Sequence, residues 1–81
     1  MASYIPWDRP MRQIPSSTPL TLTELQGYVG GFIRFIELSC GDVMVVNEAG
    51  PAFAPVNHTA SGLACQTIHG DVVLCSPEEI A

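Results

Sequence analysis

The chain contains no lysine, and its only basic residues are Arg9, Arg12 and Arg34. Against eight acidic residues these leave a formal net charge of −5. Nucleic-acid binding draws its affinity from clustered Lys and Arg that displace phosphate counterions. No such cluster exists here, which argues against DNA or RNA as a partner; an acidic balance of this size chiefly serves solubility. Long hydrophobic runs are missing too. No stretch approaches the roughly 20 apolar residues of a membrane-spanning helix, and no charged start with an apolar core marks a secretory signal. The expected location is therefore the cytoplasm, where the Asn57-His58-Thr59 glycosylation sequon is incidental.

Cysteine is sparse and odd in number. Cys40, Cys65 and Cys75 include no C-x-x-C pair, which fits a reducing compartment rather than a disulfide framework. Cys65 and His69, with His58 nearby, are the one combination from which a metal site could be assembled. A lone C-x-x-x-H falls short of the four ligands in paired knuckles that structural zinc takes, so the expectation is core cysteine, no metal and no cofactor. No motif pairs a Cys with a His as a nucleophile and base.

What the chain does have is apolar surface. Of 81 residues, 47% are hydrophobic and only 14% charged. One small domain of this length can fold alone with little stability to spare. Exposed apolar patches mark interaction sites, so a homo-oligomer or another partner is expected.

The organising stretch runs from Leu20 to Leu38. Thr21 and Glu24 form a T-x-x-E capping box, with Leu20 and Leu25 placed as a hydrophobic staple. Leu22, Leu25, Tyr28 and Val29 share one helical face, and Gly30-Gly31 supplies a left-handed stop. Phosphate-cradling glycines precede a helix; these follow one, so a phosphate loop is rejected. Phe32 to Leu38 reads as a strand buried on part of both faces. A turn at Ser39 to Asp42 and a second strand, Val43 to Asn47, complete a hairpin. Glu48 to Pro55 reads as a loop. Asn57 is placed to cap a helix running to about Gln66, and Val72 to Cys75 is a last strand.

Residues 1–19 are broken by Pro6, Pro10, Pro15 and Pro19. They read as a proline-rich arm whose Tyr4, Ile5 and Trp7 either fold back over the core or dock on another subunit. Met11 to Ile14 is a candidate edge strand. Residues 20–76 form the α+β domain and 77–81 a frayed acidic tail. The order β-α-β-β-α-β predicts a two-layer fold: a mainly antiparallel four-stranded sheet with two short helices on one face. The other face, uncovered, would need the arm or a second copy.

The strings L-Q-G-Y-V-G-G-F-I, N-E-A-G, P-V-N-H-T-A and G-D-V-V resemble a small domain family of bacteriophages and mobile elements, a domain of unknown function. The resemblance spans about Leu25 to Leu74. It rests on Gln26, Gly30, Gly31, Ile33, Asn47, Glu48, Gly50, Asn57, Ala60, Gly70 and Asp71. Two positions depart from the family pattern, Arg34 and Ala49, where relatives carry acids. The resemblance implies a phage or mobile-element source, and small proteins of that origin often bind host molecules.

On function, the leading expectation is a non-enzymatic accessory protein. It would sequester a nucleotide-like host signalling molecule or block a host protein, in counter-defence. Loops on rigid scaffolds commonly carry function, which points to two polar clusters at one end of the sheet, Asn47-Glu48 and Asn57-His58-Thr59. For a nucleotide, the amides at Asn57, His58, Thr59 and Ser61 would meet phosphate. Arg12 or Arg34 would add charge-assisted bonds, and Trp7, Tyr28 or Phe53 a stacking face. For Asn57 plain N-capping is the better account. The alternatives are a phosphodiesterase using His58 and His69, although no complete catalytic site is visible, and a structural or regulatory subunit. Because the cysteines read as core, EDTA and thiol reductants are expected to leave the melting temperature unchanged. A fall with EDTA would restore the Cys65–His69 metal site.

Overall fold

Each end of the first helix is built by the residues that the sequence singles out. In a computed structural model, which describes residues 2–15 and 19–80, α1 spans Leu22–Val29. The Thr21 hydroxyl accepts from the Glu24 N–H at 3.2 Å, and the Glu24 carboxylate accepts from the Thr21 N–H at 3.1 Å. Leu20 and Leu25 meet in one buried cluster, as a staple requires. At the far end Gly30 takes φ +84 and its N–H donates to the Gln26 carbonyl.

The sheet has five strands: β1 (Ser3–Ile5), β2 (Arg12–Gln13), β3 (Ile33–Glu37), β4 (Val43–Asn47) and β5 (Val72–Cys75). All neighbours are antiparallel, in the order β2-β1-β5-β4-β3. The expected four-stranded sheet is therefore corrected to five strands, because β1 comes from the proline-rich segment. That segment folds back over the core, the first of its two expected placements, and β1 lies between β2 and β5. Its sequence explains why: Tyr4 enters one buried cluster and Ile5 the other, the alternation of an interior strand. Residues 1, 16–18 and 81 of the expected arm and tail lie outside the described residues.

The two helices expected on one face occupy opposite faces. Leu25 and Val29 of α1 pack with Val45, Val73 and Cys75. Ala60 of α3 (His58–Ala64) packs with Met44, Val46 and Val72. Alternate residues of β4 and β5 thus meet different helices, and all five β4 residues are buried. Burying an apolar side chain such as Met44 or Val45 is worth about 1.5–3 kcal/mol relative to exposure. The uncovered face that the sequence implied does not exist.

Three further elements depart from expectation. The loop after β4 contains α2 (Gly50–Phe53), started by Pro51 in its first turn. The tail begins with a single 3-10 turn, Pro77–Glu79, held by a Ser76–Glu79 capping box, and Ile80 forms a parallel bridge with Leu20. α3 stops at Cys65, which takes φ +56, rather than at Gln66. β3 is an edge strand with Arg34, Phe35 and Glu37 exposed. The Phe32 carbonyl and the Leu38 N–H both bond towards β4. By antiparallel alternation the backbone groups of Ile33, Phe35 and Glu37 face away from the sheet.

Two outcomes are expected. Gly30→Val should cost roughly 1–3 kcal/mol, the usual strain of a left-handed non-glycine residue, whereas Thr23→Val on the exposed face of α1 should change little; urea denaturation compares them. Burial pushes the Cys75 thiol up to about 11 from an ordinary 9.0. Its folded pKa is raised, so this stabilisation is complete below the unfolded thiol's pKa and is lost as pH rises towards 11. The urea midpoint should therefore fall above pH 9, less so in Cys75→Ala. The expectation of core cysteine holds for Cys75 and is corrected for Cys40 and Cys65, which are exposed and should label rapidly in the native protein while Cys75 does not.

Candidate functional site

The walls of a cleft converge where β4 ends and β5 begins. Val29 and Gly30 bring the end of α1, Asn47 the end of β4, and Phe53 to Pro55 the end of α2 and the residues after it. Gly70-Asp71 leads into β5, and Trp7 follows β1. Together these line a cavity of about 350 Å³. A second cavity of about 270 Å³ is lined by Gly30, Gly31, Phe32, Asn47, Glu48, Ala49 and Phe53. The two share Gly30, Asn47 and Phe53, so they are two compartments of one cleft. Its rim is aromatic: Trp7 is 46% exposed, Phe53 67% and Phe32 75%.

Trp7 is held in place by its backbone. Asp71 Oδ1 accepts from the Trp7 N–H at 3.0 Å, and Asp71 Oδ2 accepts from the Tyr4 hydroxyl at 2.9 Å. The Tyr4 ring lies 5.1 Å from that of Tyr28 and carries the Arg12 guanidinium 5.2 Å above its centre. Burial, then the bond to Asp71, raises the Tyr4 pKa, so the phenol stays a donor at neutral pH. Arg9 donates weakly to the Tyr4 oxygen at 3.4 Å and pairs with Asp8 at the same distance. Asp71 is thus engaged on both oxygens and works as a clamp between β5 and the Trp7 turn.

Both buried asparagines are fully committed to the fold. The Asn47 amide donates to the Val29 carbonyl at 3.0 Å, and its oxygen accepts from the Ala49 N–H at 2.8 Å. Gly31 fits beside it because a Cβ there would lie 3.1 Å from that amide nitrogen. Asn57, 1% exposed, caps α3 by accepting from the Ala60 N–H at 3.0 Å. Its amide also donates to the Ile5 carbonyl at 2.9 Å and the Gly70 carbonyl at 2.8 Å. Among the described residues no buried side-chain polar atom lacks a partner.

The two expected polar clusters do share one end of the sheet, since Gly70 both lines the cleft with Asn47 and accepts from Asn57. Only part of the expected set reaches the cleft. Asn47 and Glu48 line it; Arg34 lies with Asn47 and His69 on a separate depression of about 20 Å³. His58 and Thr59 are exposed at the start of α3 and line neither. His69 Nδ1 sits 2.8 Å from the Ala54 carbonyl, so the two histidines form no common site there. Among the described residues no three His, Cys, Asp or Glu side chains gather around a point that could hold a metal ion. Phe32 and Asp71 are the cleft residues that polar-cluster reasoning misses. Phe32 was legible only as part of a strand, and Asp71 only through the G-D string.

The fold role of Asn57 has a sharp test. Loss of an N-cap alone costs about 1 kcal/mol, but Asn57→Ala also strands two buried carbonyls, each worth about 1–3 kcal/mol when unpaired. The expected loss in urea denaturation is above 2 kcal/mol. Asn57→Asp keeps the capping oxygen yet sets a carboxylate against both carbonyls, so it should be no better than alanine. His58→Ala should leave stability within about 0.5 kcal/mol.

No helix among the described residues is long and apolar enough to cross a membrane. Comparison with known proteins returned no matching family model, curated protein or solved structure.

Proposed function

We propose that this chain is a non-enzymatic binding protein that grips a segment of another protein in the aromatic-rimmed cleft at the end of its sheet. One observation carries the reading: three large aromatic side chains stand exposed around two joined cavities, on walls locked by Asn47 and the Asp71 clamp. Exposed aromatics on a rigid frame are what protein interfaces use as anchors. The resemblance to a phage and mobile-element domain supports a setting in the bacterial cytoplasm, with a host protein as target and counter-defence as purpose.

A nucleotide signal fits this cleft less well. Phosphate calls for cations or free amides, and the ionisable side chains on the cleft are the acids Glu48 and Asp71. At the start of α3 the Ala60 amide is already taken by Asn57. A phosphodiesterase has no support in a cleft that neither histidine lines. The test is selection of peptides from a random display library on the immobilised protein. Enriched sequences should be lost on Phe53→Ala, whose exposed ring is dispensable for folding. Equal enrichment on wild type and Phe53→Ala would overturn the reading.

Self-association belongs to the same proposal, now at the β3 edge. A twofold pair centred on Phe35 would set Ile33 against Glu37 of the second copy and satisfy all the outward backbone groups of both strands. It would also bury Phe35, which is 51% exposed, without placing like charges opposite one another. Sedimentation should give twice the chain mass for the wild type and a single chain for Phe35→Lys; a concentration-independent monomer in the wild type would sink it.

A further inference from the structure

We infer that the cleft selects a basic side chain, so that its occupant is a protein segment presenting an arginine or lysine among apolar residues. This rests on the cleft being the binding site and adds the chemistry that it recognises. The argument is one of charge. Among the described residues two ionisable side chains line the cleft, Asp71 and Glu48, and both are acids. The oxygens of Asp71 are occupied by Tyr4 and the Trp7 amide. The Glu48 carboxylate, by contrast, is exposed and has no hydrogen-bond or ion-pair partner among the described residues. The end of α1 lies on the same wall at Val29-Gly30, adding the negative pole of the helix dipole.

The chain's own cations reach only one of these acids: Arg9 acts on Asp71 across the Tyr4 hydroxyl, and Glu48 has no such partner among the described residues. The chain has three arginines and no lysine. Arg9 is turned to Asp8 and the Tyr4 oxygen, Arg12 lies over the Tyr4 ring, and Arg34 lines the separate depression with His69. With Asp71 engaged, the Glu48 carboxylate is the acid of the cleft left to meet a cation from outside. The aromatic rim suits one kind of cation in particular. Trp7 and Phe53 both line the larger cavity, and the π-face of an aromatic ring attracts guanidinium and ammonium groups. The aliphatic stem of Arg or Lys would cover the apolar walls while its charged head reaches Glu48.

The experiment uses three short peptides that differ only at a central position: arginine, its neutral isostere citrulline, or glutamate, each flanked by leucine. Trp7 is the single tryptophan of the chain, so its emission reports occupancy of the cleft, and amide shifts of Gly30, Gly31 and Gly70 give an independent readout. The arginine peptide is expected to bind at least tenfold more tightly than the citrulline peptide, with the glutamate peptide weakest. Glu48→Gln should shrink the arginine preference severalfold, as should raised salt, which screens exposed charge. Phe53→Ala should weaken arginine and citrulline peptides together. Equal binding of arginine and citrulline, or an arginine preference untouched by Glu48→Gln, overturns the charge selection and leaves the cleft reading intact. If none of the peptides perturbs Trp7 or the glycine amides at millimolar concentration, the cleft reading falls with it.

Discussion

Two buried asparagine side chains hold the cleft end of this protein together. Asn57 ties the start of α3 to the end of β1 and to the turn before β5 through three hydrogen bonds. Asn47 ties the end of α1 to the start of the α2 segment. Neither contact is replaceable by a hydrophobic side chain, because Asn57 satisfies the buried Ile5 and Gly70 carbonyls and Asn47 the buried Val29 carbonyl. The walls at Val29-Gly30, Asn47, Gly70-Asp71 and Trp7 meet one of these two residues or the Asp71 clamp, and the Ala54-Pro55 wall is tied to the turn before β5 through His69 and the Gly70 N–H. The cleft is therefore a consequence of how helix ends are stapled to sheet ends.

That stapling leaves the aromatic residues on the outside. A sheet covered on both faces has room in its two cores for side chains such as Ile5, Met44 and Val73, all fully buried. Phe32 and Phe53 sit instead on segments whose backbone polar groups are engaged at the sheet end. Their rings stay in solvent around a cavity, and Trp7 joins them because its own amide is fixed to Asp71. The resulting cleft combines apolar rim, acidic lining and rigid frame. Those three properties together set this cleft apart from the scattered exposed apolar residues that any small protein carries, and the proposed binding role rests on them.

The same packing changes what self-association would mean. With α1 and α3 on opposite faces, each sheet face meets a helix, and most large apolar side chains that stay exposed lie at the cleft rim, on the outer sides of the helices and on β3. The exposed backbone of β3 remains, ending the sheet at Phe35 opposite its short other edge, β2. An interface there would extend the sheet rather than cover it, and would leave the cleft free.

The sequence by itself determined the local elements. Thr21, Glu24, Leu20 and Leu25 specify the start of α1, Gly30 its end, and Asn57 the start of α3, because caps and left-handed stops are settled by interactions within a few residues. The β3–β4 hairpin and β5 were legible for the same reason. The tertiary structure alone decided the rest. β1 was hidden by its prolines and is a strand only because β5 and β2 pair with it, a contact 67 residues apart in the case of Tyr4 and Asp71. The side of the sheet that each helix takes follows from which alternate residues of β4 and β5 it meets, and local pattern carries no record of that choice. Of the site, Asn47, Glu48, Trp7 and Phe53 could be named from sequence, but not that Asn57 also holds the Ile5 and Gly70 carbonyls, that His58 and Thr59 lie away from the cleft, or that Asp71 fixes Trp7. Those assignments depend on pairing between segments distant in the chain, which only the packed fold brings together.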